Sequence, residues 1–292
     1  MNKVGIFIAD RWRGADELLE SLRDMLASQV EEVWQTSNWD DSAAQEQIEG
    51  TDCIICLGGD GSVLWAARAV VPHAVPIFGV NMGRLGFLAE IGPRELMDKL
   101  PRILAGEGRV EERAMLQVQI PVWGQTFHAL NDVVVGRSLA GRPVYLDVSV
   151  DGRHLAVYRS DAVIVATATG STGYSLSAGG PILHPESRDL VLTPVAPHLV
   201  PARSLVLPGD AVVDLVLSTE EGATVSVDGQ VNRSLESGDS VSVCRSPHVA
   251  RFLRLSESSD HYRILAERME WLTGINPAKY PEMFDQKGAG PK

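Results

Sequence analysis

Near the N-terminus, short unbroken apolar blocks alternate with segments in which apolar residues recur every three or four positions. Lys3 to Ala9 reads as a strand. Between Asp16 and Val30, the residues Leu18, Leu19, Leu22, Met25 and Leu26 make one apolar face of a helix. Cys53 to Leu57 predicts a second, buried strand, followed by a glycine-rich turn and an apolar helix from about Ser62 to Val70. Val75 to Val80 predicts a third strand, and Glu95 to Leu104 another short helix. Strand–helix–strand alternation of this kind implies a parallel sheet with helices on its faces.

The pattern changes after about Glu112. Met115 to Pro121, Phe127 to Val135, Tyr145 to Val150, Ala162 to Ala166, Ala211 to Leu217, Thr224 to Val227 and Ser240 to Cys244 are short, Val-rich and punctuated by turn pairs such as Asp151-Gly152, Pro208-Gly209 and Asp228-Gly229. That spacing predicts an antiparallel sandwich or layered sheet. A helical pattern follows from His261 to Leu272, and the residues beyond about Gln286 read as a frayed tail. The expected fold class is therefore an α/β N-terminal domain with a parallel sheet over residues 1–112 and a β-rich, sandwich-like domain over 113–256. A segment 257–285 is expected to pack back on the first domain, with a tail at 286–292.

The 292 residues are 45% hydrophobic and 22% charged, as expected of a folded chain rather than a disordered one. With 26 Lys and Arg against 38 Asp and Glu, the net charge is −12. Such a chain repels nucleic acid and anionic lipid, so neither is an expected partner. A phosphate-bearing ligand has to be held by local donors: backbone N–H groups, a few placed arginines, or a divalent ion. No apolar run approaches a membrane span, and the opening residues do not read as a signal peptide. The three cysteines form no disulfide framework, and Cys53 and Cys56, three apart in a strand, point to opposite faces. A cytoplasmic location is expected. The seven histidines show no paired ligand spacing, so no dedicated metal-binding residues are expected.

The chemistry-bearing motifs sit at strand ends. Gly58-Gly59-Asp60-Gly61 lies between a buried strand and a helix. The glycines let main chain pass close to a ligand, and the helix start offers unpaired N–H groups to phosphate oxygens. A carboxylate beside phosphates is repelled unless it binds a cation or accepts a proton from an attacking hydroxyl, which makes Asp60 the candidate catalytic residue. A helix cap at Asp60 would explain one Asp and one Gly, but not three glycines around the acid. Gly79-Val80-Asn81-Met82-Gly83-Arg84-Leu85-Gly86-Phe87 reads as a second close-approach loop at the same sheet edge, carrying the cation Arg84. Thr169 to Pro181 holds four glycines, five hydroxyls and the aromatic Tyr174, a composition suited to lining a cleft and stacking on a flat ring. Asn131-Asp132, Arg159-Ser160-Asp161 and Asp228-Gly229-Gln230 each have an ordinary reading as a turn or surface ion pair, and become functional candidates only in company with the glycine motifs.

Taken in order, Gly58 to Gly61, Gly79 to Phe87, Asn131-Asp132, Thr169 to Ser175, Ala178 to Pro181 and Asp228 to Gln230 resemble the NAD kinase family; the first motif alone is shared with diacylglycerol kinases and phosphofructokinases. The resemblance implies transfer of the γ-phosphoryl of ATP to the 2′-hydroxyl of the adenosine ribose of NAD, with Mg²⁺ or Mn²⁺ accompanying ATP. It implies Asp60 as proton acceptor. It also implies dinucleotide contacts at Gly61, Asn131, Asp132, Arg142, Arg159, Asp161, Thr172, Gly173, Tyr174, Ser175, Leu176, Ser177 and Gln230. Two departures stand out: Asp132 where the family often has Glu, and Gly173 where it often has Ala. Family members are homo-oligomers, commonly dimers or tetramers, with part of the dinucleotide site near a subunit contact. Another GGDG-type kinase acting on a lipid or sugar phosphate, or a non-catalytic nucleotide sensor, is the alternative.

Overall fold

The computed structural model describes residues 1–8, 16–37, 42–83, 86–138, 142–198, 202–219, 221–257 and 262–266. Its first half alternates strand and helix: β1 (Lys3–Ile8), α1 (Asp16–Ala27), β2 (Glu32–Thr36), α2 (Ser42–Ile48), β3 (Cys53–Gly58), α3 (Asp60–Ala69), β4 (Ile77–Asn81) and α4 (Pro93–Leu104). The strands lie parallel in the order β2-β1-β3-β4. All six residues of β3 and all five of β4 are buried, because helices cover both faces of the sheet. On one face Ile54 and Cys56 pack with Val63, Ala66 and Ala67 of α3 and Ile48 of α2. On the other, Cys53, Ile55 and Leu57 pack with Leu22 and Leu26 of α1 and Leu96, Leu100 and Ile103 of α4. The two strand cysteines therefore sit in different cores, and burial pushes the thiol pKa of both upward.

The second half is strand-built: β5 (Arg109–Ile120), β6 (Gln125–Ala129), β7 (Asp132–Arg137), β8 (Val144–Val150), β9 (Arg153–Ser160), β10 (Ala162–Ala166), a short helix α5 (Tyr174–Ser177), β11 (Leu190–Val195), β12 (Leu205–Leu207), β13 (Val213–Leu217), β14 (Ala223–Val227), β15 (Val231–Leu235) and β16 (Ser240–Arg254). Six strands form an antiparallel sheet in the order β12-β11-β10-β7-β14-β15. That sheet packs on β5, β8, β13 and β16 through a continuous core that includes Val133, Val163, Val165 and Val225 on one side and Leu146, Val148, Leu215 and Val243 on the other.

β16 joins the two halves. It pairs with β13 and β5, bulges between Arg245 and Val249, and past the bulge sets Phe252 parallel to Ile77 of β4. The return to the first sheet is thus made by residues 249–254, earlier in the chain than the segment from which it was expected. Of that segment only residues 257 and 262–266 are described; 262–266 are helical, with the Tyr262 ring 6.0 Å from that of His184.

One expectation changes. Phe127 to Val135 is not one strand but two, β6 and β7, broken at Leu130-Asn131. Strands β2, β9, β11, β12 and β15 and helix α2 are further elements not predicted from the sequence. β15 is an edge strand whose Asn232, Arg233 and Ser234 are exposed. β11 holds Pro194, a residue that ordinarily argues against a strand inside a sheet.

Candidate functional site

α3 starts directly after β3, so Asp60 stands at the carboxyl edge of the parallel sheet. It is the first helical residue rather than the cap. The cap position is Gly59, which brings no side chain to the first N–H groups of the helix. The Asp60 carboxylate turns instead to the loop after β4: Oδ2 accepts from the backbone N–H of Phe87 at 2.7 Å and Oδ1 from that of Leu88 at 3.1 Å. Hydrogen bonds to a charged acceptor are worth about 1.5–3 kcal/mol each, enough to hold the side chain in one orientation. A carboxylate has about four lone-pair positions, so these two bonds leave room for a further donor. Gly86 is what lets the loop come this close, since a β-carbon there would lie 2.1 Å from Asp60 Oδ1. Asp60 is half-buried. Gly58 receives the N–H of Met82 on its carbonyl, which ties the two loops together. Arg84 lies outside the described residues.

The break between β6 and β7 forms the opposite wall. Asp228, in the hairpin turn between β14 and β15 and with φ of 52°, accepts three consecutive backbone N–H groups: Leu130 at 2.8 Å, Asn131 at 2.8 Å and Asp132 at 3.0 Å. Thr167 closes the same turn from the other side, its hydroxyl donating to the Leu130 carbonyl at 2.6 Å and its N–H to the Asn131 carbonyl at 2.9 Å. Gly170 approaches so closely that a β-carbon would fall 2.0 Å from the Asn131 carbonyl oxygen. Asp132 is buried, and no hydrogen-bond partner of its carboxyl lies among the described residues. Burial first, and the neighbouring Asp228 second, push its pKa up to about 7. Burial raises Asp228 to about 6, against the three N–H donors and the Arg68 cation. Both acids are thus held above the ordinary carboxylate range.

Gln230 joins the walls. Its amide nitrogen donates to the Gly61 carbonyl at 2.9 Å, and its amide oxygen accepts from Arg68 at 2.8 Å. The Thr/Ser/Gly segment follows β10 as a single 3-10 turn, Gly170–Thr172, and then α5. Most of its hydroxyls hold the segment in shape rather than facing outward. Ser171 donates to the Ala168 carbonyl, Thr172 to the Thr169 carbonyl, and Ser175 pairs with Thr193 at 3.1 Å. Tyr174 is 46% exposed, Ser177 is exposed, and Leu176 is half-buried. Gly173 sits beside the walls: a β-carbon there would be 3.8 Å from Asp132 Oδ2 and 3.3 Å from the Gly170 carbonyl. A cavity of about 360 Å³ opens next to this segment, lined among others by Phe87, Thr169, Thr172, Arg113 and Arg254. A larger groove of about 780 Å³ follows the β16 bulge and touches none of the predicted site residues.

Arg142, Arg159 and Asp161 are not brought to this place. Asp132 pairs with Ala166 at one end of β7 and β10, whereas Arg137 and Asp161 form an ion pair of 3.2 Å at the other. Five residues of strand separate the two ends, about 17 Å. Arg142 pairs with Glu221 at that far end, and Arg159 stacks on Tyr145 with its Nε buried and without a hydrogen-bond partner among the described residues. No group of three or more His, Cys, Asp or Glu side chains among the described residues is arranged to hold a metal ion. No helix among them is long and apolar enough to cross a membrane.

Thr167 and Leu88 shape the site without having been singled out in the sequence; Asp228, Gly86 and Phe87 lay in motifs that were, but what each holds there was not read from them. An Asp-Gly pair does signal a hairpin, but nothing in the string says that its carboxylate reaches back across 96 residues to another turn.

The chain matches the ATP-NAD kinase N-terminal domain over residues 2–108 and the ATP-NAD kinase C-terminal domain over 130–255. It is 37% identical over 282 residues to an NAD kinase of Dehalococcoides mccartyi strain CBDB1, covering 95% of this chain and 98% of the relative. It is 46% identical over 225 residues to one of Chloroflexus aurantiacus strain J-10-fl, covering 76% and 82%. The crystal structure of an NAD kinase from Archaeoglobus fulgidus in complex with ATP superposes with a TM-score of 0.75 at 26% identity, covering 91% of this chain and 98% of that one. Yeast NADH kinase complexed with NADH shares the fold, with a TM-score of 0.78 at 21% identity over 100% of this chain and 90% of the other. A GGDG strand–helix junction facing a capped Asn-Asp turn, matched along nearly the whole chain by these relatives, places the protein: it belongs to the NAD kinase family.

Proposed function

We propose that this chain, an NAD kinase that uses ATP and NAD, transfers the phosphoryl group with Asp60 as the proton acceptor for the 2′-hydroxyl of the adenosine ribose. The observation that carries this reading is the two-point hold on the Asp60 carboxylate by Phe87 and Leu88. The bonds aim the carboxylate and leave lone pairs for one more hydrogen bond, which is what a base needs before the alcohol attacks. A secondary alcohol is a poor nucleophile, so holding it in line with the γ-phosphorus and taking its proton as the bond forms are the two contributions the protein can make. The uncapped start of α3 is suited to phosphate oxygens. In the absence of a resident cluster of metal ligands among the described residues, the divalent ion, Mg²⁺ or Mn²⁺, is read as arriving with the nucleotide.

The ribose and adenine are assigned to the wall built from Asn131, Asp132, Gly173 and Tyr174, with Asp132 as the acceptor for ribose hydroxyls. Its burial, and the absence of a hydrogen-bond partner of its carboxyl among the described residues, support this. Gln230 is assigned less to the ligand than to keeping that wall at a set distance from Gly61. The far cluster of Arg142, Arg159 and Asp161 is assigned to the site of a second copy in a homo-oligomer, dimer or tetramer. The reason is that one extended strand length separates it from Asp132, and that the Arg159 Nε is buried with no hydrogen-bond partner among the described residues.

Replacing Asp60 by Asn keeps the size and, through the amide oxygen, one of the two backbone contacts, but removes the base. Turnover with NAD, ATP and Mg²⁺ is expected to fall by about 10²–10⁴ while the Kd for NAD stays within a few-fold; near-wild-type turnover removes the assignment. Because ionised Asp132 is the acceptor and its pKa is about 7, its charged fraction rises about tenfold from pH 6 to pH 8. The KM for NAD is expected to fall by about that factor over the range, and in Asp132→Asn to stay flat; a flat wild-type profile contradicts the role. Co-expression of Asp60→Asn with the double variant Arg159→Ala, Asp161→Ala is expected to give mixed oligomers that regain activity neither parent has. Absence of recovery in oligomers shown by mass to be mixed sinks the shared-site reading.

A further inference from the structure

Five ionised side chains lie between β5, β16 and the loop 86–90, and the phosphoryl transfer uses none of them as a reactant. Glu111, 5% exposed, accepts from Arg113 Nε at 2.7 Å, from Arg109 at 2.7 Å and from Arg254 Nε at 3.3 Å. Burial works to raise its pKa, but the Arg254 and Arg113 cations and the arginine hydrogen bonds outweigh it and hold the carboxyl at about 2. Arg113 is lowered to about 10, by burial first and then by Arg254, and stays cationic at neutral pH. Arg254 Nη1 donates to the Leu88 carbonyl at 2.8 Å and reaches Glu90 at 3.2 Å. Glu90 in turn accepts the N–H groups of Leu255 and Ser256, and the Phe252 ring lies under both guanidinium groups.

Leu88 is the junction between this network and the site. Its N–H donates to Asp60 Oδ1 and its carbonyl accepts from Arg254. On the other side of Glu111, Arg113 donates to the Thr169 hydroxyl at 3.2 Å, and the Thr169 carbonyl receives the Thr172 hydroxyl. The network therefore spans from the loop that aims Asp60 to the segment assigned to the dinucleotide. Buried ion pairs contribute little net stability compared with apolar packing of the same volume, so stability alone does not account for a group of five charged side chains here. What a rigid, two-pronged guanidinium does supply is a fixed direction for the groups it binds.

We propose that Arg254 is a positioning residue for the kinase reaction: braced on Glu111, it pins the Leu88 carbonyl and so fixes the two N–H donors that aim the Asp60 carboxylate. The proposal rests on the reading of Asp60 as the base. Misplacement of a reacting group by about 1 Å costs on the order of 10²-fold in rate. Arg254→Ala is accordingly expected to lower kcat by about 10²-fold with the KM for NAD within threefold. Guanidinium ion at millimolar levels is expected to restore part of the loss, because Arg254 lines the 360 Å³ cavity. Arg254→Lys keeps the charge beside Glu111 and Glu90 but loses the fork, and it carries the same test if Arg254→Ala does not give folded protein; its kcat is expected to fall by about tenfold at unchanged melting temperature.

The deciding comparison places each Arg254 variant in the Asp60→Asn background. If Arg254 acts through the carboxylate, its replacement costs nothing further there. A full, multiplicative loss in that background overturns the proposal, as does wild-type kcat in a folded Arg254 variant or a loss that appears in KM alone. Asp60→Asn with near-wild-type turnover overturns the base reading itself, and is told apart from failure of Arg254 because it needs no Arg254 variant to be seen.

Discussion

Two hydrogen bonds from the backbone of Phe87 and Leu88 to the Asp60 carboxylate organise the molecule's chemistry. They join the loop after β4 to the start of α3, two successive carboxyl-edge turns of the parallel sheet. Crevices at such edges are where open α/β sheets bind ligands. The bonds also decide between two roles for the same residue. A helix-capping Asp would turn toward its own N–H groups; this one leaves them uncovered for phosphate and turns to a neighbouring loop. Gly86 makes room for that choice, and the network around Glu111 stands behind it.

The second wall follows the same logic with different parts. A turn between β6 and β7 presents three N–H groups in a row, which would be costly to leave unpaired in a buried place. Asp228 satisfies all three from a hairpin far along the chain, and in doing so places a second carboxyl, Asp132, beside its own charge. The raised pKa of Asp132 comes first from its burial and second from the carboxylate that caps the turn. Gln230, on the same hairpin, reaches Gly61 and Arg68 of α3, so the hairpin that shapes one wall also fixes its spacing from the other.

Much of this was legible in the sequence, for identifiable reasons. The unbroken runs Cys53 to Leu57 and Val75 to Val80 mark strands buried on both faces, and the glycines after them mark the edge where main chain must come close to something. The Val-rich blocks separated by Asp-Gly and Pro-Gly pairs announce a sandwich, and they lie in one. The split of Phe127 to Val135 was only partly legible: Asn131-Asp132 reads as a turn pair but stands inside an otherwise apolar run, and the break is fixed from outside by Asp228 and Thr167. Edge strands such as β9 and β15 escaped for a related reason: with one side open to solvent, they need no apolar pattern. The separation of Arg159 and Asp161 from Asp132 depends on strand register, which only the paired sheet reveals. In the segment read as lining a cleft, the Ser171 and Ser175 hydroxyls make internal ties, to the Ala168 carbonyl and to Thr193.

The most direct test is a crystal structure of the enzyme with NAD bound and a non-transferable ATP analogue with its divalent ion. The account requires the ribose 2′-oxygen of NAD to lie within hydrogen-bond reach of an Asp60 carboxylate oxygen, about 2.6–3.2 Å, with the Phe87 and Leu88 contacts intact. A 2′-oxygen lodged beyond about 5 Å from Asp60, with another side chain or no side chain facing it, would contradict it.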